Sequence, residues 1–300
     1  MRLGLPMTGN EATLRIGTSA GGGMARSKRS LQSPGLISKV YVPILLDIFN
    51  ARYRQGASTV IFSLDDIRNA ADRLKLETRN PADVVYRMRS RTLLPKEILD
   101  KGFFVLRSIG RGQYQFEKAT STIFEPADNE VTDAIDLTPL PVRRLLPETM
   151  AAMDEQAALT IASYCRLFDH FTGLKIYRLR SHFRKSVPGI GQAELDAIDV
   201  GVALSDDETP IVFPIEAKAA ADALNRVQIF NMIQYCRHFL RDMTVRPLAM
   251  KIDHDSIIHM MEFNVATRAA DLRIIRSASY RLTLSEKQLE FVRATSSLPG

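Results

Sequence analysis

The chain reads as an α/β protein, with a mixed sheet flanked by helices in its C-terminal half and a smaller, mainly helical unit ahead of it. Three observations carry this reading. Helix-period and strand-period runs alternate over residues 36–118 and again over 148–300. A stretch rich in Pro, Thr and Asp, 119–147, lies between them and reads as a linker. The run Ile211-Val-Phe-Pro-Ile-Glu-Ala-Lys218 is apolar until its closing Glu-x-Lys, the pattern of a strand buried on both faces that ends in a costly charged pair. Three hundred residues at 45% hydrophobic content leave room for two packed domains.

Taken in order, residues 1–35 are rich in Gly, Ser and Arg and lack the apolar core of a secretory signal, so disorder is expected there. No apolar run is long enough to span a bilayer. Cys165 and Cys236 have no metal-type spacing and read as reduced, buried thiols of a cytoplasmic protein. The net charge of +6 and a pI near 9.4 point to a polyanionic partner.

Residues 37–54 have helical periodicity, with Pro43 delaying the regular helix. Thr59-Val-Ile-Phe62 is a short strand, and Ser63 with Asp66 has capping-box spacing for a helix over 64–74. Asn80-Pro81 opens a third helix, about 82–91, which carries Tyr86, Arg87, Arg89 and Arg91. Residues 103–107 and 113–116 read as strands joined by a glycine turn around Arg111. This order of helix, strand, helix, helix and hairpin resembles a winged-helix domain. That resemblance implies double-stranded DNA as partner, with Arg87 and Arg89 on the reading helix and Arg111 at the wing tip as DNA-binding residues.

Beyond the linker, a helix is expected over about 148–171, with Asp154-Glu155-Gln156 near its start. A strand over 175–185 follows, then a carboxylate-bearing hairpin, a helix over 222–240, and strands near 245–252, 257–265 and 273–283. Strand alternation places Arg178, Arg180, His182 and Arg184 on one face, a basic stripe suited either to a phosphate backbone or to guarding a sheet edge.

The hairpin carries the chemistry. In Gly191-Gln-Ala-Glu-Leu-Asp-Ala-Ile-Asp199, residues Glu194 and Asp196 share a face and Asp199 points the other way unless a bulge intervenes. A polar turn over 205–210 pairs this strand with 211–218, where Glu216 and Lys218 share a face. Asp196 or Asp199 would then meet Glu216, with the Ala217 carbonyl beside them. This donor set suits Mg²⁺ (or Mn²⁺), with Lys218 placed to hold a water and offset charge on a phosphoryl group. On an exposed edge strand the same Glu-x-Lys would be only a solvated salt bridge.

These residues resemble the PD-(D/E)xK, restriction-endonuclease-like nuclease superfamily: Asp196 on one strand, then Glu216-Ala-Lys218 on its partner 20 residues later, or 17 counted from Asp199. The proline that often precedes the Asp is absent. The resemblance covers about 150–285. It implies Asp196, Glu216 and Lys218 as catalytic residues, Glu194 and Glu155 as auxiliary acids, and Asp196, Glu216 and Asp199 as metal ligands. It also implies Gln228 or Gln234 as a polar residue of the following helix, and the basic stripe beside the site makes Arg178 and Arg180 candidates for contact with the DNA. The expected activity is that of a type II restriction enzyme leaving 3′-hydroxyl and 5′-phosphate ends, working as a homodimer or by two nicks. The alternatives are a winged-helix regulator with a non-catalytic nuclease-like domain and a structure-specific repair nuclease. No HExxH, finger spacing, GxGxxG or Gly-Lys-Ser/Thr is present, which sets aside zinc and nucleotide chemistry.

Overall fold

The structure is a computed structural model and describes residues 37–90, 92–127, 130–136, 154–202, 210–255 and 257–283. The segments 1–36, 137–153 and 203–209, which include the expected disordered N-terminus and most of the hairpin turn, lie outside the described residues. A short π-helical turn, Ile37–Tyr41, leads into α1 (Val42–Arg52), whose proline sits in the first turn, where no amide donor is needed. Strand β1 (Thr59–Ser63) runs into α2 (Leu64–Leu74) through a complete capping box. Ser63 Oγ accepts from the Asp66 amide and the Asp66 carboxylate accepts from the Ser63 amide at 2.7 Å.

Helices α3 (Ala82–Ser90) and α4 (Lys96–Leu99) precede the hairpin of β2 (Phe103–Gly110) and β3 (Gln113–Lys118), and these strands form a sheet in the order β1-β3-β2. Phe49, Phe62, Phe103 and Phe116 fill its core edge-to-face and stacked. Truncating any one of them to alanine costs about 3–5 kcal/mol.

The C-terminal half is a mixed α/β layer structure. An eight-stranded sheet contains β5 (Val131–Asp136), β6 (Lys175–Val187), β7 (Gly191–Val202), β8 (Ile211–Lys218), β10 (Thr244–Val245), β11 (Leu248–Ile252), β12 (Ile257–Phe263) and β13 (Ile274–Thr283). The order is β5-β13-β12-β11-β8-β7-β6, with β10 beside β8. The β8–β11 and β13–β5 pairs are parallel, and the remaining neighbours in that order are antiparallel. Helices α5 (Glu155–Tyr164) and α6 (Leu167–Thr172) cover one face, and α7 (Arg226–Phe239) covers the other.

Alternation assigns the side chains: Phe213, Ile215 and Ala217 pack toward α5 and α6, whereas Val212 packs toward α7. Pro214 sits in this central strand without breaking it. It faces a gap between the β10 and β11 partners of β8, where no amide is required of it.

Three expectations need correction. The helix expected over 148–171 is described only from Glu155, and it breaks at Cys165–Arg166, where Arg166 takes a left-handed conformation. The described part of the expected linker is ordered structure: Ile123–Phe124 (β4) pairs with Leu224–Asn225 (β9), and β5 is an edge strand of the large sheet. The basic stripe on β6 is split by a register shift between Arg178 and Arg180, which pair with the adjacent residues Asp199 and Ile198 and so lie on opposite faces.

The junction between the two halves is packed. Val105 and Phe124 belong to the same core as α7. Buried Glu117 accepts from Arg107 and from the Ala270 amide, both at 3.0 Å. Buried Arg226 donates to the carbonyls of Ser121 and Leu272 at 2.7 Å each. Among the described residues, no helix is long and apolar enough to cross a membrane.

Candidate metal centre

Strand β7 runs alongside β8 only from Ala197 to Gly201. Beyond Ala197 the strands part, and the Asp196 carboxylate takes over as acceptor: the Ala217 amide donates to Asp196 Oδ2 at 2.8 Å. The side chain thus replaces a ladder bond at the point where the sheet opens. It lies next to the peptide flanked by Glu216 and Lys218. No other described group donates to Asp196.

Glu216 is fully buried on the α7 side, where Gln228 Nε2 of α7 donates to its Oε1 at 2.6 Å. Lys218 Nζ lies 2.8 Å from Glu216 Oε1 and 2.9 Å from Glu155 Oε1, so it bridges β8 to the first turn of α5. Asp154 caps α5 through the Ala157 amide at 2.8 Å, which fixes where Glu155 starts.

The electrostatics are those of an acid-rich pocket. Burial pushes the Glu216 carboxyl up to about 8, against the pull of Lys218 and with the help of Asp196 and Glu155. Burial also raises Asp196 and Glu155, which are opposed by the Ala217 amide and by Lys218 respectively. Burial works against the Lys218 ammonium, yet Glu216 and Glu155 hold its pKa above the ordinary lysine value. Around this centre opens a cleft of about 750 Å³, lined by Asp154, Glu155, Glu194, Asp222, Arg184 and Lys218 among others. Acids therefore outnumber cations in the cleft. Once Glu216 is ionised, one positive charge shared by two carboxylates leaves an attraction for a further cation.

Not every expected site residue joins this cluster. Asp199 lies on the opposite face, buried and paired with Arg178 through Nε and, at 3.4 Å, through Nη2. Strand alternation puts it opposite Phe213, away from Glu216, so it is no ligand here. Arg178, an exposed residue, also reaches Ser163 at 3.3 Å, so its guanidinium is engaged on the Asp199 face and not on that of Asp196. Arg180 is exposed and stacks over Phe183 at 4.8 Å. Glu194 is at the cleft mouth, bound to Arg184 at 2.6 Å. His182 is exposed, has a positive φ of 40°, and acts electrostatically on Asp196. Gln234 bonds the Ala266 carbonyl at 3.3 Å and is structural.

In the N-terminal unit, Arg87 is half-buried and Arg111 is exposed at the turn between β2 and β3; the Arg89 side chain lies outside the described residues. Cys165 and Cys236 are pushed up to about 11 and about 12 by burial, which leaves them inert as nucleophiles. Tyr86 of α3 also lines the cleft, and sequence reasoning gave it no role. Its only signal was an aromatic residue among arginines on one helix.

The donor set can be tested against the expected ion. Among the described residues, no trio of His, Cys, Asp or Glu is gathered closely enough to hold a metal alone. Two acidic side chains with pKa raised by burial flank one peptide, which leaves a main-chain oxygen and water to complete a shell. This suits a hard, oxygen-seeking ion that keeps several waters, and does not suit zinc. No protein-family model matches the chain, and neither a curated protein nor a solved structure matches it.

Proposed function

We propose that this protein is a Mg²⁺-dependent (or Mn²⁺-dependent) endonuclease acting on double-stranded DNA, with the C-terminal half as a restriction-endonuclease-like catalytic domain. The observation that carries the reading is the meeting of Asp196, Glu216 and Lys218 around the Ala217 peptide where β7 and β8 part. Asp196 and Glu216 would hold the ion with the Ala217 carbonyl. When bound, the ion supplies Lewis-acid polarisation of a phosphoryl oxygen and a more acidic water.

The remaining work belongs to the chain. Gln228 holds Glu216 in place, and Glu155 keeps Lys218 protonated and aimed into the cleft. The Lys218 ammonium orients the attacking water and offsets charge on the pentacoordinate phosphorus. Glu194 with Arg184 borders the entrance.

The N-terminal unit supports a winged-helix reading by its order of α1, short β1, α2 and α3, followed after the one-turn α4 by the closing hairpin of β2 and β3. Arg87 and Arg111 are its expected DNA contacts. A type II restriction enzyme is the specific form proposed, with a homodimer for double-strand cutting. The test is incubation of the purified chain with unmethylated supercoiled plasmid and Mg²⁺ or Mn²⁺. Discrete linear fragments, absent with EDTA and absent for Glu216→Ala, support it. Retained DNA binding with no cleavage under either ion would favour the regulator reading.

A further inference from the structure

The cleft onto which Lys218 and Glu155 open is not built from the C-terminal half alone. Tyr86, in the middle of α3, lines it together with Glu155 and Lys218, and is 44% exposed. Its hydroxyl lies close enough to Arg184 to act on it electrostatically. Helix α3 is held in this place by packing against β2 and α7.

The clasp at the junction then removes freedom between the halves. Glu117 ties β3 to Ala270, and Arg226, the first residue of α7, ties the segment after β3 to Ala269 and Leu272. Two residues further along α7, Gln228 grips Glu216. A helix placed by such contacts is a wall of the reaction cleft, not a tethered reader.

On the footing of the hydrolase reading above, we propose that Tyr86 touches the nucleotide beside the scissile phosphate, so that the chain cuts within the DNA its N-terminal unit grips and not at a distance from it. The phenol ring covers the sugar and its hydroxyl donates to a neighbouring phosphate oxygen, while Arg184 meets the same strand. Substrate class and cut position are thereby linked: duplex DNA, cleaved inside the protected stretch.

The proposal is tested with the full chain in two ways. A benzophenone amino acid placed at position 86 in the Glu216→Gln background is photo-crosslinked to end-labelled duplex DNA with Ca²⁺ present, and the wild-type cleavage ends are mapped on the same duplex. Crosslinks within one or two nucleotides of the cut support the proposal. Crosslinks elsewhere, or none on DNA that is bound, overturn it while leaving the hydrolase reading intact.

Separately, Tyr86→Ala is expected to lower kcat/KM about tenfold, with Tyr86→Phe intermediate, as for loss of a hydrogen bond to a charged oxygen. Thermal unfolding and metal binding should be unchanged. Cleavage by Tyr86→Ala at the wild-type rate and positions overturns it. If the wild type cuts no DNA with any divalent ion, the hydrolase reading fails, and this proposal with it.

Discussion

Asp196 and Asp199 sit three residues apart on one strand, both nearly inaccessible and both with pKa raised by burial, yet they have opposite fates. Asp199 faces a guanidinium, and Arg178 with Ser163 completes its surroundings. Asp196 faces a backbone amide and two further acids, with a single ammonium shared among them. A buried carboxylate given its own arginine is a finished structural pair. One given only an amide, where the strands part, keeps a charge that no cation of its own neutralises. The difference arises from position: Asp199 lies within the paired part of β7, and Asp196 lies where β8 leaves it.

The comparison can be broken most forcefully at Glu216. Glu216→Ala and Asp196→Ala should each cut metal-dependent plasmid cleavage by about a thousandfold or more, whereas Asp199→Asn should leave the rate per folded molecule near wild type. Equal losses at Asp196 and Asp199 would erase the distinction drawn here.

A second test uses pH in metal-free buffer. The folded pKa of Glu216 lies above its unfolded value, so the folded chain binds the extra proton between the two. The stabilisation is complete below about pH 4.5 and is lost as pH rises through about 8. Urea unfolding should therefore show a decline on the order of a few kcal/mol from pH 5 to 8.5, flattened by Glu216→Gln. A slope that survives the substitution places the titration elsewhere.

Arg178→Met strands the Asp199 charge and should cost about 2–3 kcal/mol by chemical denaturation, with little effect on metal affinity. The smallest expected effect is that of Gln228→Ala, a roughly tenfold weaker Mg²⁺ affinity by titration calorimetry with the fold retained. No change there would mean that Glu216 needs no help from α7.

Much of the local order was readable from the residues. The capping box at Ser63, the Asn80-Pro81 helix start and the buried strand 211–218 all follow from short-range rules and appear in the structure. Strand alternation also anticipated that Asp199 would face away from Asp196. The register shift on β6 was not readable, because nothing in Arg178-Leu-Arg180 marks an extra residue, and it separated two arginines expected side by side. Nor was the edge strand 131–136, whose parallel partner lies about 150 residues away. The place of Tyr86 in the cleft was not readable, because it depends on how α3 packs against β2 and α7, which no local pattern encodes.

The sequence alone determined the elements, their polarity and the charged pair closing a buried strand, since periodicity and capping act over a few residues. Only the tertiary structure decided which carboxylates meet and which helix borders them. Strand divergence, bulges and interdomain packing are settled by contacts between segments far apart in the chain, where burial and electrostatics act through space.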